Sequence, residues 1–470
     1  MPSVLVIGAG FGGIGVAIEL RRAGYTDVTV VEKADDLGGV WRENTYPGAG
    51  CDIPSPYYSY SYAPNPGWPM RFSLRSDILA YLRRVADRFG IRPRYGVEVT
   101  AAEFERGRWR VHTASGEVLT ADVLVPAVGQ LSRPAMPDIP GASTFTGHSF
   151  HSARWDHDYD LTGRRVAVIG TGASAIQFVP CIQPSAARLT VFQRTAPYLV
   201  PKPDTRYRPW QRRLLPLERA FFWALCEVGV LGLKGNRVVT AAVERIALRH
   251  LRRQVPEPEL RAKLIPDYRI GCKRVLFSND YFPALRQPNV HLETAPITAI
   301  TPAGVRTADG VEHEVDVIIY GTGFRATDFL APIEVRGLGG RSLAEEWTDG
   351  ARAYLGMTVP GFPNMFLVYG PNTNLGSGSI VFMLERQARY IRQAVERIAA
   401  EQSCLDVRPE VAERFDSELQ GRLGGTTWTM CRSWYRDGTG RVTTNWPGSV
   451  SEYHRRTRSL DPMAFERVAR

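Results

Sequence analysis

Twice along this chain an apolar strand runs into a glycine-spaced turn and then a helical pattern, and that repeat restricts the fold more than any other feature. The first copy is a strand over Ser3 to Ile7, then Gly8-Ala9-Gly10-Phe11-Gly12-Gly13 and a helix over Ile14 to Ala23. The second is a strand over Val166 to Ile169, then Gly170-Thr171-Gly172-Ala173-Ser174-Ala175 and a further helix. A G-x-G-x-x-G string is weak evidence alone, but between a strand and a helix it marks a dinucleotide-binding unit, and alanine is accepted at its last position. The glycines permit a tight turn and bring backbone close to a pyrophosphate at the helix N-terminus, where unpaired N–H groups favour an anion. The expected fold class is α/β, with two Rossmann-like dinucleotide-binding domains.

The two units differ at the end of their second strands. Glu32 and Arg194 each stand 24 residues beyond the first glycine of their loop (32 − 8 and 194 − 170). A carboxylate there accepts hydrogen bonds from ribose hydroxyls and repels a 2′-phosphate, whereas arginine binds one through charge-assisted hydrogen bonds. The first loop therefore suits FAD and the second, with Arg194 and the adjoining Thr195, suits NADPH rather than NADH. A solvated arginine at a strand end is the competing reading. A second repeat supports paired units: Asp122 to Gly129 and Asp316 to Gly323 both run from aspartate through an apolar strand to glycine.

At ~100 to 200 residues per domain, 470 residues make two to four. The reading divides them into 1–135, the first part of the FAD-binding domain; 136–200, the first part of the NADP-binding domain; 201–266, an inserted helical subdomain rich in Arg, Leu and Ala; 267–323, the second part of the NADP-binding domain; and 324–470, the second part of the FAD-binding domain. The Pro-rich LSRPAMPDIPG reads as a linker. A long helix over about Ile380 to Glu401 follows PNTNLGSGS, with its N-terminus placed to favour negative charge on a reduced flavin ring; a plain helix cap is the alternative. Residues 38–52, rich in Gly, Pro, Trp and Tyr, are expected to lack regular structure.

A hydrophobic share of 44% with 23% charged residues excludes disorder. The net charge of +10 is almost wholly arginine, because the lysines are Lys33, Lys202, Lys234, Lys263 and Lys273. The arginines are scattered and no nucleic-acid motif appears, so no nucleic-acid partner is expected, and phosphate-bearing cofactors account better for the charge. The six cysteines form no C-x-x-C pair and no metal-ligand spacing with histidine, which predicts a reducing compartment and no metal. An opening buried-type strand argues against a leader and for a cytoplasmic setting. The apolar run 220–233 is shorter than the ~20 residues a spanning helix needs and reads as a core helix, contact with a membrane through it being the lesser reading.

Three blocks add chemistry. Phe145, Gly147, His151, Trp155 and Asp156 fall in the order F-x-G-x-x-x-H-x-x-x-W-D, between the two loops. Residues 38–52 read GGVWRENTYPGAGCD, and Gly271-Cys272-Lys273-Arg274 is followed by Asn279-Asp280-Tyr281-Phe282. Together they resemble the fingerprint and the G-G-x-W-x-x-N-x-Y-P-G-x-x-C-D and C-K-R…D-Y-[FY] blocks of type I Baeyer-Villiger monooxygenases. The ending SWYRDGTGRVTTNWPGSVSEY looks like that of the aryl-ketone subgroup. The resemblance implies an FAD- and NADPH-dependent enzyme that converts a ketone to an ester or lactone with dioxygen. It implies that Asp52 and Arg274 are the active-site aspartate and catalytic arginine, and that Lys273 helps bind the 2′-phosphate. It adds Gly39, Val40, Trp41, Asp52, Tyr58 and Val99 to the flavin-binding positions Gly8, Gly10, Phe11, Gly13 and Glu32.

The implied chemistry explains these residue types. Reduced flavin and dioxygen give a C4a-peroxide whose deprotonated form attacks a carbonyl, and a permanently charged guanidinium stabilises both that anion and the oxyanion that follows. Asp52 would orient Arg274; a structural ion pair is the bland alternative. His151 has no completed ligand set or carboxylate partner, so it is expected to order the linker between domains, and the fingerprint to couple the two nucleotide domains. Three rivals remain: a heteroatom monooxygenase acting on sulfides or amines, an NADPH-flavin reductase or oxidase, and a non-catalytic dinucleotide-binding sensor.

Overall fold

In the computed structural model, which describes residues 1–431 and 433–468, two parallel sheets carry the glycine loops at their carboxyl ends. The first has the strand order Arg94–Tyr95, Val28–Glu32, Val4–Ile7, Val123–Pro126. Every residue of Val4–Ile7 and Val123–Pro126 is buried, the condition of a parallel sheet covered on both faces. The second sheet orders Val290–Glu293, Arg188–Phe192, Arg165–Ile169, Val317–Tyr320 and His148–His151. In each half an antiparallel meander, residues 99–121 or 297–314, precedes the closing strand. The aspartates that open the closing strands do the same work: Asp122 Oδ2 accepts the Ser3 N–H and Asp316 Oδ2 the Arg165 N–H, both at 2.8 Å. The sequence repeat is therefore a structural one.

After the second closing strand the chain returns to the first half, where Glu334–Arg336 pairs parallel with Ala101–Glu103. The helix Ile380–Glu401 forms over the expected residues and shares a core with the helix Phe11–Arg22 through Val381, Leu384 and Ile391 beside Ile14 and Ile18. The insertion contains the helices Leu215–Leu233, Arg237–Gln254 and Pro258–Lys263, closed at its base by the short parallel pair Leu199–Val200 and Leu276–Phe277.

Three expectations are corrected. Residues 215–233 are not a core helix: only Leu215 and Val230 are buried, and Leu217, Phe221, Leu225 and Val228 are 69%, 60%, 53% and 52% exposed. A helix apolar on all sides gives no sign of which faces a small insertion leaves uncovered. Among the described residues no helix is long and apolar enough to cross a membrane. Residues 38–52 are not wholly irregular, since Val40–Glu43 makes one helical turn. Cys272 and Cys431, 159 residues apart, form a disulfide, which the expectation of a reducing compartment did not provide for. Local spacing reveals C-x-x-C motifs but not a pair assembled by the tertiary fold.

Candidate active site

The first loop is held by close backbone packing. Gly8 has φ +105°, and a Cβ there would lie 2.6 Å from the Ala127 carbonyl oxygen; at Gly13 it would lie 1.9 Å from the Gly8 carbonyl oxygen. Gly10 faces Gly39, whose φ is +54° and whose Cβ would meet Gly10 Cα at 3.2 Å. The helix that follows has no side-chain cap and no acidic residue in its first turn, so its N-terminal N–H groups are left for an anion. Glu32 is buried, its Oε2 accepting the Ala9 N–H at 2.8 Å and its Oε1 the Ala34 N–H at 3.0 Å. The carboxylate thus ties the strand end to the loop. Phe11 and Tyr58 meet edge to face at 5.4 Å, and Trp41 Nε1 donates to the Tyr58 hydroxyl at 3.1 Å. Val40 is half-buried in the one-turn helix, whereas Val99 lies in the core with Leu5, Ile7 and Val31.

The second loop is built alike. Gly170 has φ +109° and a Cβ would come 2.5 Å from the Gly321 carbonyl oxygen, but Gly172 is open and Ala175 replaces the last glycine. Ser174 provides no side-chain cap, Ala173 is exposed, and the Thr171 hydroxyl donates to the Thr195 carbonyl at 3.1 Å. Arg194 is exposed. Lys273, whose ammonium lies 4.6 Å from the Tyr268 ring centre, is held below its ordinary pKa by burial and by Arg194. Two cations brought together at a nucleotide loop make an anion site.

Between the loops lie Asp52 and Arg274, 222 residues apart in sequence. Arg274 Nε donates to Asp52 Oδ2 at 3.0 Å, and Nη2 reaches Oδ1 at 2.8 Å and Oδ2 at 2.6 Å. Arg274 is deep in the molecule yet 33% of its side chain is accessible, as befits a residue lining an internal cleft. Asp52 drives the guanidinium pKa further up, outweighing burial. Tyr435 is buried and Tyr369 half-buried beside it, and burial pushes the Tyr435 hydroxyl up to about 12. Tyr369 was not identified from sequence, and Tyr435 only as part of the SWY ending. The disulfide joins Cys272, two residues before Arg274, to the segment that carries Tyr435.

The fingerprint does not enter this pair. His148–His151 forms an edge strand of the second sheet, and a Cβ on Gly147 would lie 2.5 Å from the Asp316 carbonyl oxygen. Phe145 packs beneath the sheet with Ile300 and Val305. His151 is buried, accepts the Ala153 N–H at Nδ1, and directs Nε2 toward the Gly323 backbone without completing a hydrogen bond; burial lowers its pKa. Asp156 meets His148 Nε2 at 2.9 Å, a partner the sequence pattern did not indicate. Trp155 packs on Phe178, which also meets Tyr46, while His157 Nε2 lies 2.9 Å from the Thr45 hydroxyl. Gln177, on the helix after the second loop, accepts from the Tyr46 hydroxyl and donates to the Gly50 carbonyl. His157, the residue after the fingerprint, and this helix therefore both touch residues 38–52, which end at Asp52.

Among the buried polar atoms without partners are Gln130 Oε1, on a side chain whose Nε2 donates to the Tyr369 carbonyl at 2.8 Å, and Ser379 Oγ, at the N-cap of Ile380–Glu401. Uncapped helix ends, paired cations and these atoms fit a bound flavin and a bound nicotinamide nucleotide. A separate cavity of about 680 Å³, lined by Thr327, Trp347, Asp437 and neighbours, contains none of these residues.

The family described as pyridine nucleotide-disulphide oxidoreductase matches residues 5–220. A Baeyer-Villiger monooxygenase of Streptomyces coelicolor is 47% identical over 98% of this chain and 92% of its own length. A solved steroid monooxygenase bound to NADP superposes with a TM-score of 0.89 at 30% identity, covering 100% of both chains. The OTEMO complex with FAD and NADP gives 0.89 at 28% identity over 99% of each. With full-length relatedness added to the twin loops and the Asp52–Arg274 pair, the chain belongs to the Baeyer-Villiger monooxygenase family.

Proposed function

We propose that this protein uses NADPH and dioxygen to convert a ketone to an ester or lactone on bound FAD, with residues 1–135 and 324–470 holding FAD and 136–200 and 267–323 holding NADPH. Its relatives are monooxygenases, and the observation that carries the specific reaction is the bidentate Asp52–Arg274 pair in an internal cleft. When bound, reduced FAD supplies the activation of dioxygen.

The chain's residues do the rest. Gly8, Gly10 and Gly13 leave room at an uncapped helix N-terminus for the flavin pyrophosphate, and Gly170, Gly172 and Ala175 do so for NADPH. Arg194 and Lys273 receive the 2′-phosphate. Arg274 keeps its proton at any working pH and offers N–H donors where negative charge develops on oxygen. Asp52 fixes the plane of the guanidinium through Nε and Nη2, so the charge is oriented before substrate arrives.

The test is incubation with NADPH, labelled dioxygen and a panel of ketones and sulfides, read by mass spectrometry. Label in an ester or lactone supports the reading; label only in a sulfoxide replaces it with heteroatom oxygenation. Arg274→Ala should lower ester formation by ~10² to 10³ while flavin reduction by NADPH continues, and an unchanged ester yield refutes the role of Arg274.

A further inference from the structure

On the outer edge of the second parallel sheet, away from the Asp52–Arg274 cleft, three ligand-type side chains converge. His291 and Glu293 alternate on the edge strand Val290–Glu293, so they share a face opposite the buried Leu292. His313 comes from the last strand of the following meander, Glu312–Glu314, and points inward between two exposed glutamates. Glu293 Oε2 lies 3.3 Å from His291 Nε2 and 3.4 Å from His313 Nε2, and the three atoms all fall within 4.8 Å of one another. A tetrahedral zinc site with bonds of ~2.0 to 2.1 Å has ligand-to-ligand edges of ~3.3 Å, which is the spacing Glu293 makes with both imidazoles.

The surroundings orient these groups. Glu293 Oε1 is engaged by the Thr294 and Ala295 N–H groups, both at 2.7 Å, which leaves Oε2 turned to the histidines. His313 is packed edge to face on Phe192 at 5.3 Å. Arg188 is a nearby cation opposing a bound metal, and Asp309, which accepts from the Thr307 hydroxyl, is a nearby anion favouring one. His291 is 43% exposed, which gives an ion access and leaves a water-accessible coordination position.

We propose that His291, Glu293 and His313 form a binding site for a divalent transition metal of the zinc class, one that clips the 297–314 meander onto the edge of the nicotinamide-side sheet. The clip lies one strand from the proposed phosphate site: the Gln193 N–H donates to the Glu293 carbonyl at 2.8 Å, and Arg194 is the next residue. Two histidines and a carboxylate are a donor set that borderline ions prefer over calcium or magnesium, which seek oxygen ligands.

The full-length, chelator-treated protein is titrated with Co²⁺ and Zn²⁺ near neutral pH. One Co²⁺ per chain is expected, with visible absorption characteristic of low coordination number and displacement by Zn²⁺. Affinity should fall at least tenfold in His291→Ala and in Glu293→Gln, both chosen because His313 is buried and its removal endangers folding. His112→Ala, altering a half-buried pair with Glu103 at 3.8 Å on the other meander, should bind as the parent does. Zn²⁺ should raise the melting temperature of the parent and not of Glu293→Gln. Absence of stoichiometric binding, or binding equal in parent, His291→Ala and Glu293→Gln, overturns the proposal and leaves a hydrogen-bonded histidine–carboxylate cluster.

Discussion

The two nucleotide loops share one topology yet differ in how tightly each is closed. In the first, Gly13 is pressed on the Gly8 carbonyl and Gly10 on Gly39, and Glu32 ties the strand end back to Ala9. In the second, alanine already stands at the position equivalent to Gly13, Gly172 is open, and the strand end carries an exposed arginine. The first loop is closely packed and its carboxylate is already engaged by backbone N–H groups. The second is more open and leaves Arg194 exposed. The difference is one of packing and charge on an otherwise repeated unit.

The largest expected break of that comparison is Gly13→Ala, whose Cβ would sit 1.9 Å from a backbone oxygen. The purified variant should be colourless for want of flavin, whereas Ala175→Gly should keep its nicotinamide site and cost ~0.5 to 1 kcal/mol in helix stability. A yellow Gly13→Ala protein would show the first loop to be as tolerant as the second. Next, Arg194→Gln and Lys273→Met should each raise KM for NADPH by ~10- to 100-fold, the loss of a charged hydrogen bond of ~1.5 to 3 kcal/mol, and leave KM for NADH unchanged. Equal effects on both nucleotides would remove the 2′-phosphate from this site. His151→Ala should retain FAD yet yield less product per NADPH consumed, and normal coupling counts against a role for the fingerprint between the halves.

The smallest effects concern pH, and here the halves should respond with opposite sign. Asp406, in the core beneath the first sheet, is pushed up to about 7 by burial. Its folded pKa exceeds the unfolded value of ~3.9, so the stabilisation it brings is complete below that value and is lost as pH rises through 7. Asp406→Asn should therefore melt a few degrees above the parent at pH 8 and level with it at pH 4. His151 has a depressed pKa, so its contribution is present above the ordinary imidazole range and is lost as pH falls through the folded value. His151→Ala should narrow the parent's loss of stability in mild acid. Thermal melts across pH test both signs.

Much of the fold was legible because its signals are local. Strand, glycine turn and helix lie within some twenty residues of each other, and the long helix Ile380–Glu401 has a period that a linear reading resolves. Of the site, Asp52 and Arg274 were legible only through the blocks that surround them; nothing local in an aspartate and an arginine 222 residues apart requires a pair. Gln177 was missed because one polar residue in the apolar helix Ala175–Ile182 has no periodic signature, although it joins the helix to the segment ending at Asp52. The exposed face of Leu215–Leu233 was misread for the converse reason: an apolar helix does not announce which sides find partners.

The sequence by itself determined the two βαβ units, the charge that distinguishes their strand ends, and the residue types available for oxygen chemistry. Only the tertiary structure decided that Arg274 grips Asp52 in a cleft, that Cys272 bonds Cys431, and that two histidines meet Glu293 across separate strands. Backbone preferences act over a few residues and can be read in order along the chain. Convergence of side chains depends on how sheets, meanders and returning segments pack, and that is fixed by long-range burial.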